Sequence, residues 1–271
     1  MVLAIIIILL VIGTVAFHFL SPWYLTEIAS NWTGMDDAIL ITFVVTGTVF
    51  VAVNLFMAYA VYKYRHRENL RADYEPENKK LEIWLTSITA LGVVAMLTPG
   101  LIVWDDYVNV PEDAMLVEAV GQQWTWTFRY PGPDGILGAA DNSRITADNP
   151  FGIDAGDPYS ADDILVEDSE FYLPMSGPVK VVMRSKDVLH DFYVPQIRAK
   201  MDLVPGLITY FWFEPTRLGS FELLCAELCG NSHYNMRGTM VIAEEAEYQA
   251  WLAEQPTFGE MAAEAVASAS N

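Results

Sequence analysis

Three uncharged apolar runs fill most of the first 104 residues, and they constrain everything that follows. Leu3–Leu20 carries no charge over eighteen positions, Ile39–Tyr62 none over twenty-four and Ile83–Trp104 none over twenty-two. A helix needs about 20 apolar residues to cross a hydrocarbon core of roughly 30 Å, so each run is long enough to span. One such run alone would fit a buried core helix; three in succession argue against that. Residues 1–104 therefore read as a membrane region of three helices, with spans at about 3–20, 39–62 and 83–104.

The loops set the orientation. Lys63, Arg65, Arg67, Arg71, Lys79 and Lys80 lie between the second and third runs, and clustered Lys and Arg mark the cytoplasmic side. The amino terminus is then cytoplasmic and everything after Asp105 extracytoplasmic. No positively charged stretch precedes the first run and no A-x-A-like site follows it, so it reads as a retained helix rather than a cleaved export signal. The chain carries a formal charge of -20, and from Asp105 onward nine Lys and Arg face 27 Asp and Glu. Such acidity suits solubility at the outer face of a membrane. It equally suits capture of an electropositive partner, and nucleic acid is not expected.

The outer segment reads as short strands. "DAMLVEAV", "QWTWTFRY", "PVKVVMRS", "VLHDFYVP", "LITYFWFE", "SFELLCA" and "GTMVIA" are rich in β-branched and aromatic residues, and Pro or Gly falls between several of them. Their number predicts a small antiparallel sandwich or barrel of Greek-key type over residues 105–256. A polar stretch at about 131–168 reads as a surface insertion. Residues 244–255 read as a short amphipathic helix, and 257–271 as a frayed tail. There is no internal repeat, no phosphate-cradling Gly loop and no Ser-His-Asp spacing.

The chemistry concentrates in "CAELCGNSHYNM", residues 225–236, which holds both cysteines of the chain. A disulfide between Cys225 and Cys229 is allowed outside the cytoplasm but leaves His233 and Met236 without a use. Core packing explains a lone Cys or Met, not this density. Structural zinc needs four ligands, which His233 and His190 could complete. Copper uses one residue more: thiolate, imidazole and thioether are together its favoured donor set, with a weak Met tuning the potential. Gly230 and Asn231 place these residues in a tight loop between two strands. Of the other histidines, His18 lies in an apolar run and His66 among basic residues, so His190 remains as the second imidazole.

"SKDVLHDFYVP", "KMDLVPG" and "CAELCGNSHYNMRG" together resemble subunit II of the haem-copper cytochrome c oxidases, from about Glu82 to Trp251. The resemblance implies a cupredoxin-like domain carrying a dinuclear copper A centre. It implies Cys225 and Cys229 as bridges between two copper ions, His190 and Met236 completing one, and His233 with the Glu227 carbonyl the other. It further implies magnesium or manganese shared with subunit I through the Glu227 side chain. Trp124 in "GQQWTWTFRY" is implied as the entry point for electrons from cytochrome c; a core strand aromatic is the competing reading, stronger for Trp126. Glu82 in "LEIWLT" is implied near a proton-pathway entrance, against the simpler reading of a helix-end carboxylate.

The implied function is acceptance of electrons from cytochrome c and their transfer to haem in subunit I, for reduction of O2 coupled to proton pumping. Subunits I and III, cytochrome c and the lipid bilayer of a bacterial inner membrane are the implied partners and setting. The chain departs from the family in having three apolar runs instead of two, in lacking an early proline in the last one, and in its long insertion. A quinol oxidase relative would have lost the copper ligands, all six of which are present. A copper carrier would need neither two bridging cysteines nor an aromatic entry segment, and nitrous oxide reductase is soluble. No CxxCH sequence follows, so a fused cytochrome c is excluded.

Overall fold

The computed structural model describes residues 1–21, 26–68, 71, 74, 76–146 and 149–269. Residues 147–148 of the insertion and the last two residues of the chain lie outside that set, as do 22–25 between the first two runs. The chain divides into two compact units, Met1–Leu25 with Gly34–Trp104, and Thr26–Thr33 with Asp105–Asn271.

The first unit is helical. α1 (Val2–Leu20), α2 (Thr33–Lys63) and α3 (Lys79–Val108) are each long and apolar enough to cross a membrane. The few polar side chains in α2 satisfy themselves on the preceding turn: Thr42 Oγ1 donates to the Ala38 carbonyl at 2.8 Å and Asn54 Nδ2 to the Phe50 carbonyl at 2.8 Å. Thr46 and Thr48 do the same with the Thr42 and Val44 carbonyls, so these four groups need no partner from the hydrocarbon.

The second unit is a sandwich of two five-stranded sheets. One has the order β3 (Ile164–Val166), β2 (Thr125–Tyr130), β1 (Met115–Gln122), β5 (Val179–Ser185), β8 (Thr209–Phe213). The other has the order β4 (Glu170–Pro174), β10 (Arg237–Ala243), β9 (Gly219–Cys225), β6 (His190–Val194), β7 (Ala199–Leu203). The seven expected strands are all present. The sheets are mixed rather than purely antiparallel, because β1 pairs with β5 and β4 with β10 in parallel. Strands β3, β4 and β7 were not anticipated, being short or charged. Period-two alternation on β2 sends Trp126, Phe128 and Tyr130 inward. Phe128 stacks on Phe171 at 4.7 Å, and Phe171 and Trp126 meet Phe192 edge-on at 5.7 and 5.6 Å, joining the two sheets through aromatic contact.

The polar stretch after β2 is not a surface excursion throughout. Phe151 and Ile153 are buried with Val120, Leu165 and Phe258 in one cluster. A buried charge network fastens the same stretch: Glu118 accepts from Arg129 Nε at 2.7 Å and from Arg184 Nε at 2.5 Å. Arg129 continues to Asp163 at 2.7 Å and the Gly138 carbonyl, and Arg184 to the Phe151 carbonyl at 2.9 Å. The two guanidiniums outweigh the effect of burial and hold the Glu118 carboxyl below its ordinary range. Residues expected to fray also fold. α4 (Glu245–Leu252) is followed by α5 (Phe258–Ala269), begun by a reciprocal cap in which Glu260 Oε2 accepts the Thr257 amide at 2.9 Å and Thr257 Oγ1 accepts the Glu260 amide at 3.2 Å. Phe258 and Met261 then anchor the helix to the cluster.

Residues 26–33, which join α1 to α2, belong to this second unit. The Ala29 amide donates to the Gln196 carbonyl at 2.8 Å, the Asn31 amide to the Glu214 carbonyl at 3.1 Å and Trp32 Nε1 to the Trp212 carbonyl at 3.1 Å. Ala29, Ser30 and Trp32 are buried.

Glu118→Leu strands two buried guanidiniums without their shared carboxylate. It is expected to lower unfolding stability by about 3–5 kcal/mol in denaturant titration; a loss below about 1 kcal/mol would show that the network is replaceable.

Candidate metal centre

The centre is assembled at one pole of the sandwich from three places in the chain. His190 opens β6, Cys225 closes β9, and the loop from Ala226 to Met236 returns to β10 through a 3-10 turn at His233–Asn235. Pairing of β6 with β9 sets Phe192 opposite Cys225, which brings the beginning of one strand beside the end of the other. The Cys225 amide donates to the Met236 carbonyl at 3.2 Å and so closes the loop. Gly121 leaves room for the imidazole, since a Cβ there would sit 3.1 Å from His190 Cδ2.

The two sulfurs stand 3.7 Å apart, and both cysteines are free and buried. A disulfide holds its sulfurs at about 2.05 Å, so this is not one. Cys225 Sγ lies 3.9 Å from His190 Nδ1 and 3.2 Å from the Glu227 carbonyl oxygen. Cys229 Sγ lies 3.6 Å from His233 Nδ1 and 3.7 Å from Met236 Sδ. The donor atoms of His190, Cys225 and Cys229 all fall within 4.8 Å of one another. All six residues singled out in the sequence as metal ligands thus converge, and each sulfur has an imidazole and one further donor beside it.

The thiols are electrostatically unequal. Burial disfavours a thiolate at Cys225, but hydrogen bonding with the His190 ring and with the backbone of Asp191 and Glu227 outweighs it and brings that thiol down to about 6. Cys229 is pushed up to about 12, by burial first and then by the negative sulfur next to it. One of the two keeps its proton near neutral pH unless a cation lies between them. Two soft anions, two imidazoles and a thioether in a buried pocket fit copper in particular, and oxygen-preferring cations poorly.

Around this cluster runs a second set of bonds that the sequence motif does not announce. Asp187 Oδ1 is 2.8 Å from His190 Nε2, which leaves Nδ1 for the sulfur side, and Asp187 Oδ2 accepts the Gln123 amide at 2.7 Å. For His190, burial works against the charged ring, but Cys225 and Asp187 overcome it and raise its pKa. Gln123 Nε2 and Trp124 Nε1 both donate to the Cys229 carbonyl, at 2.8 and 3.2 Å. The carboxylate three residues before His190 was the one signal that could have exposed this ring; nothing marked Gln123. Gly230, at φ 119°, lies beneath the turn, and a Cβ on it would sit 2.8 Å from Gln123 Nε2 and 3.3 Å from Trp124 Cζ2.

Trp124 is 38% exposed, whereas Trp126 is fully buried with its ring 6.3 Å from that of His190. Glu227 is half-buried. Glu82 belongs to the helical unit, exposed in the first turn of α3, and takes no part in the cluster.

Residues 115–244 match the family described as cytochrome c oxidase subunit II, periplasmic domain. The "Alternative cytochrome c oxidase subunit 2" of Bradyrhizobium diazoefficiens is 55% identical over 258 residues, covering 95% of this chain and 93% of that one. The chain belongs to the cytochrome c oxidase subunit II family. The subunit 2 of Cereibacter sphaeroides is 30% identical over 237 residues, 84% of this chain and 77% of that one. Among solved structures, the periplasmic domain of the Bradyrhizobium japonicum subunit II (CoxB) aligns with 54% of this chain and 95% of its own, at 26% identity and a TM-score of 0.39. As a subunit II, the chain is part of an oxidoreductase complex, joining helices apolar enough to cross a membrane to a cupredoxin-like domain.

Two measurements probe the geometry. Asp187→Asn removes the carboxylate that orients His190 and is expected to weaken copper binding roughly 10–100-fold in competition titration. In metal-stripped protein, alkylation followed by mass spectrometry should modify Cys225 with a midpoint near pH 6 and leave Cys229 largely unmodified at pH 9. Equal labelling of both thiols would contradict the arrangement.

Proposed function

We propose that this subunit II accepts electrons from cytochrome c at a dinuclear copper A centre and hands them to the haem of subunit I, for reduction of O2 to water coupled to proton pumping. The observation that carries the reading is the pair of buried, unbonded sulfurs 3.7 Å apart, flanked by two imidazoles, a thioether and a carbonyl. In this assignment Cys225 and Cys229 would serve both ions, His190 and Met236 would complete the hold on one, and His233 with the Glu227 carbonyl that on the other. When bound, two coppers sharing two thiolates supply a one-electron couple whose charge is spread over both ions.

The residues of the chain do the remainder. Asp187 fixes the His190 tautomer, and the strand ends hold the donors against rearrangement. Trp124 is open to solvent on one side and hydrogen-bonded to the Cys229 carbonyl on the other, which makes it a short route from a docked donor to a bridging sulfur. We assign the Glu227 carboxylate to a magnesium or manganese ion shared with subunit I, and Glu82 to a proton-pathway entrance. The acidic β unit suits a basic cytochrome c. Subunit III is a further proposed neighbour.

The same reading places the β unit outside the cytoplasmic face of a bacterial inner membrane and the amino terminus inside. Support comes from the basic residues between α2 and α3, and from residues 26–33, which fold into the β unit. The α1–α2 junction and the outlet of α3 therefore emerge on one side.

Electron paramagnetic resonance with metal analysis on the purified oxidase tests the centre. A shared electron on two coppers gives a seven-line pattern, a single copper a four-line one, and zinc none. Cys229→Ser should abolish the seven-line signal. Trp124→Phe should slow electron entry about tenfold or more in rapid-mixing experiments while leaving that signal unchanged; entry at the normal rate would refute the assignment of Trp124.

A further inference from the structure

The stretch after β2 reaches the support of the metal centre through one side chain. Asn142 Nδ2 donates to the Ser185 carbonyl at 2.7 Å, and Asn142 Oδ1 accepts from Arg184 Nη1 at 3.0 Å. A guanidinium offers only donors and a carbonyl only lone pairs, so these two partners fix which way the amide faces. Arg184 is itself held by Glu118. Asn142 opens the short 3-10 turn Asn142–Arg144, which is capped by Asp141, whose Oδ1 accepts the Ser143 amide at 2.7 Å. Gly152 secures that cap from the other side. The Asp141 amide donates to the Gly152 carbonyl at 2.8 Å, and at φ 66° a Cβ on Gly152 would run into the Asp141 carbonyl oxygen.

What Asn142 holds is the turn that carries Asp187. Ser185 is fully buried; its Oγ accepts the Asp187 amide at 3.3 Å and donates to the Val188 carbonyl. The Lys186 amide donates to the Gly121 carbonyl at 3.0 Å. Asp187 then meets His190 Nε2 at 2.8 Å and accepts the Gln123 amide at 2.7 Å. The path from Asn142 to the imidazole is a continuous run of hydrogen bonds and one short turn.

We propose that Asn142 is a positioning residue for the copper centre: by holding the Ser185 carbonyl it fixes the Ser185–Val188 turn and, through Asp187, the direction of the His190 ring. The proposal rests on the copper reading above. It gives the long polar stretch a task at the centre, as the outer support of one donor. A single neutral hydrogen bond is worth a factor of roughly 3–10 in an equilibrium, so the effect of Asn142 should be smaller than that of the carboxylate it steadies.

The test is copper competition titration of the purified oxidase, paired with hydrogen exchange at the amides of residues 186–188. Asn142→Asp keeps the acceptance from Arg184 and removes the donation to Ser185. It should weaken copper binding roughly 3–10-fold and speed exchange at those amides. Placed in Asp187→Asn it should weaken binding no further, because the carboxylate through which it acts is gone. Arg144→Gln, on the same 3-10 turn and paired with Asp154 near the surface, should leave copper binding within about twofold of wild type. Unchanged copper binding in Asn142→Asp would overturn the proposal. So would a loss that multiplies with that of Asp187→Asn, or an equal loss in Arg144→Gln, since either marks general loosening of the unit. Should Asn142→Asp not assemble, Asn142→Ala is read by the same criteria, and full copper binding there overturns the proposal. A wild-type oxidase without the seven-line signal would instead overturn the copper reading, and this inference with it.

Discussion

Two sulfur atoms held 3.7 Å apart in a dry pocket cannot both be anions without a cation between them. Burial first, and then the negative charge of the neighbouring sulfur, raises the thiol at Cys229, while hydrogen bonds overcome burial to lower the one at Cys225. Backbone alone could not impose it. It takes a strand end, a four-residue spacing and a loop returned to its own start by the Cys225–Met236 hydrogen bond. Once these are fixed, the imidazoles have few places to go. His190 is carried in by the neighbouring strand, and His233 by the 3-10 turn that reverses the loop.

The surrounding fold reads as a device for keeping that pocket stiff at its base and thin at its rim. At the base, aromatic rings from both sheets interlock behind His190, and Gly121 gives up its side chain so that the imidazole can pack. At the rim, Gly230 does the same for Gln123 and Trp124, letting an indole lie directly on the loop that carries Cys229. The close approaches at the two glycines have one cause: donors and their supports come nearer to backbone than any Cβ would permit.

Much of this was legible in the sequence, for identifiable reasons. Uncharged runs longer than a bilayer needs leave little choice but helix, and the strands of the β unit announced themselves through β-branched and aromatic residues. The candidate donors were legible because soft donors seldom cluster by accident. What escaped notice depended on contacts distant in the chain. The stretch after β2 is polar in composition, yet Phe151 and Ile153 reach the core because Arg129 and Arg184 draw its backbone carbonyls inward. Strand β7, "AKMDL", carries two charges in five residues and is a strand because β6 offers it an edge. The carboxy-terminal helix hid behind an Ala-rich composition. Gln123 was invisible as a support, and Asp187 showed only as a carboxylate three residues before His190, because their roles are fixed by a turn that only the folded sandwich brings to the centre.

The distribution of charge completes the physical account. Among the described residues, at least six of the nine cationic side chains after Asp105 are matched to carboxylates within the unit: Arg129, Arg144, Arg184, Lys200, Arg217 and Arg237. Arg129 and Arg184 are buried in their pairs and give nothing to the outer field. The surface left to meet a partner is therefore more uniformly acidic than the bare count of residues conveys. Such a field acts over a Debye length of about 8 Å at physiological salt, which is enough to orient a basic protein before contact but not to hold it. That combination suits the donor proposed above, which would dock, deliver one electron near Trp124 and leave. A tightly bound partner would instead call for a broad apolar interface. The interior spends its few cations on keeping the scaffold shut, and the surface charge that results is the complement of that choice.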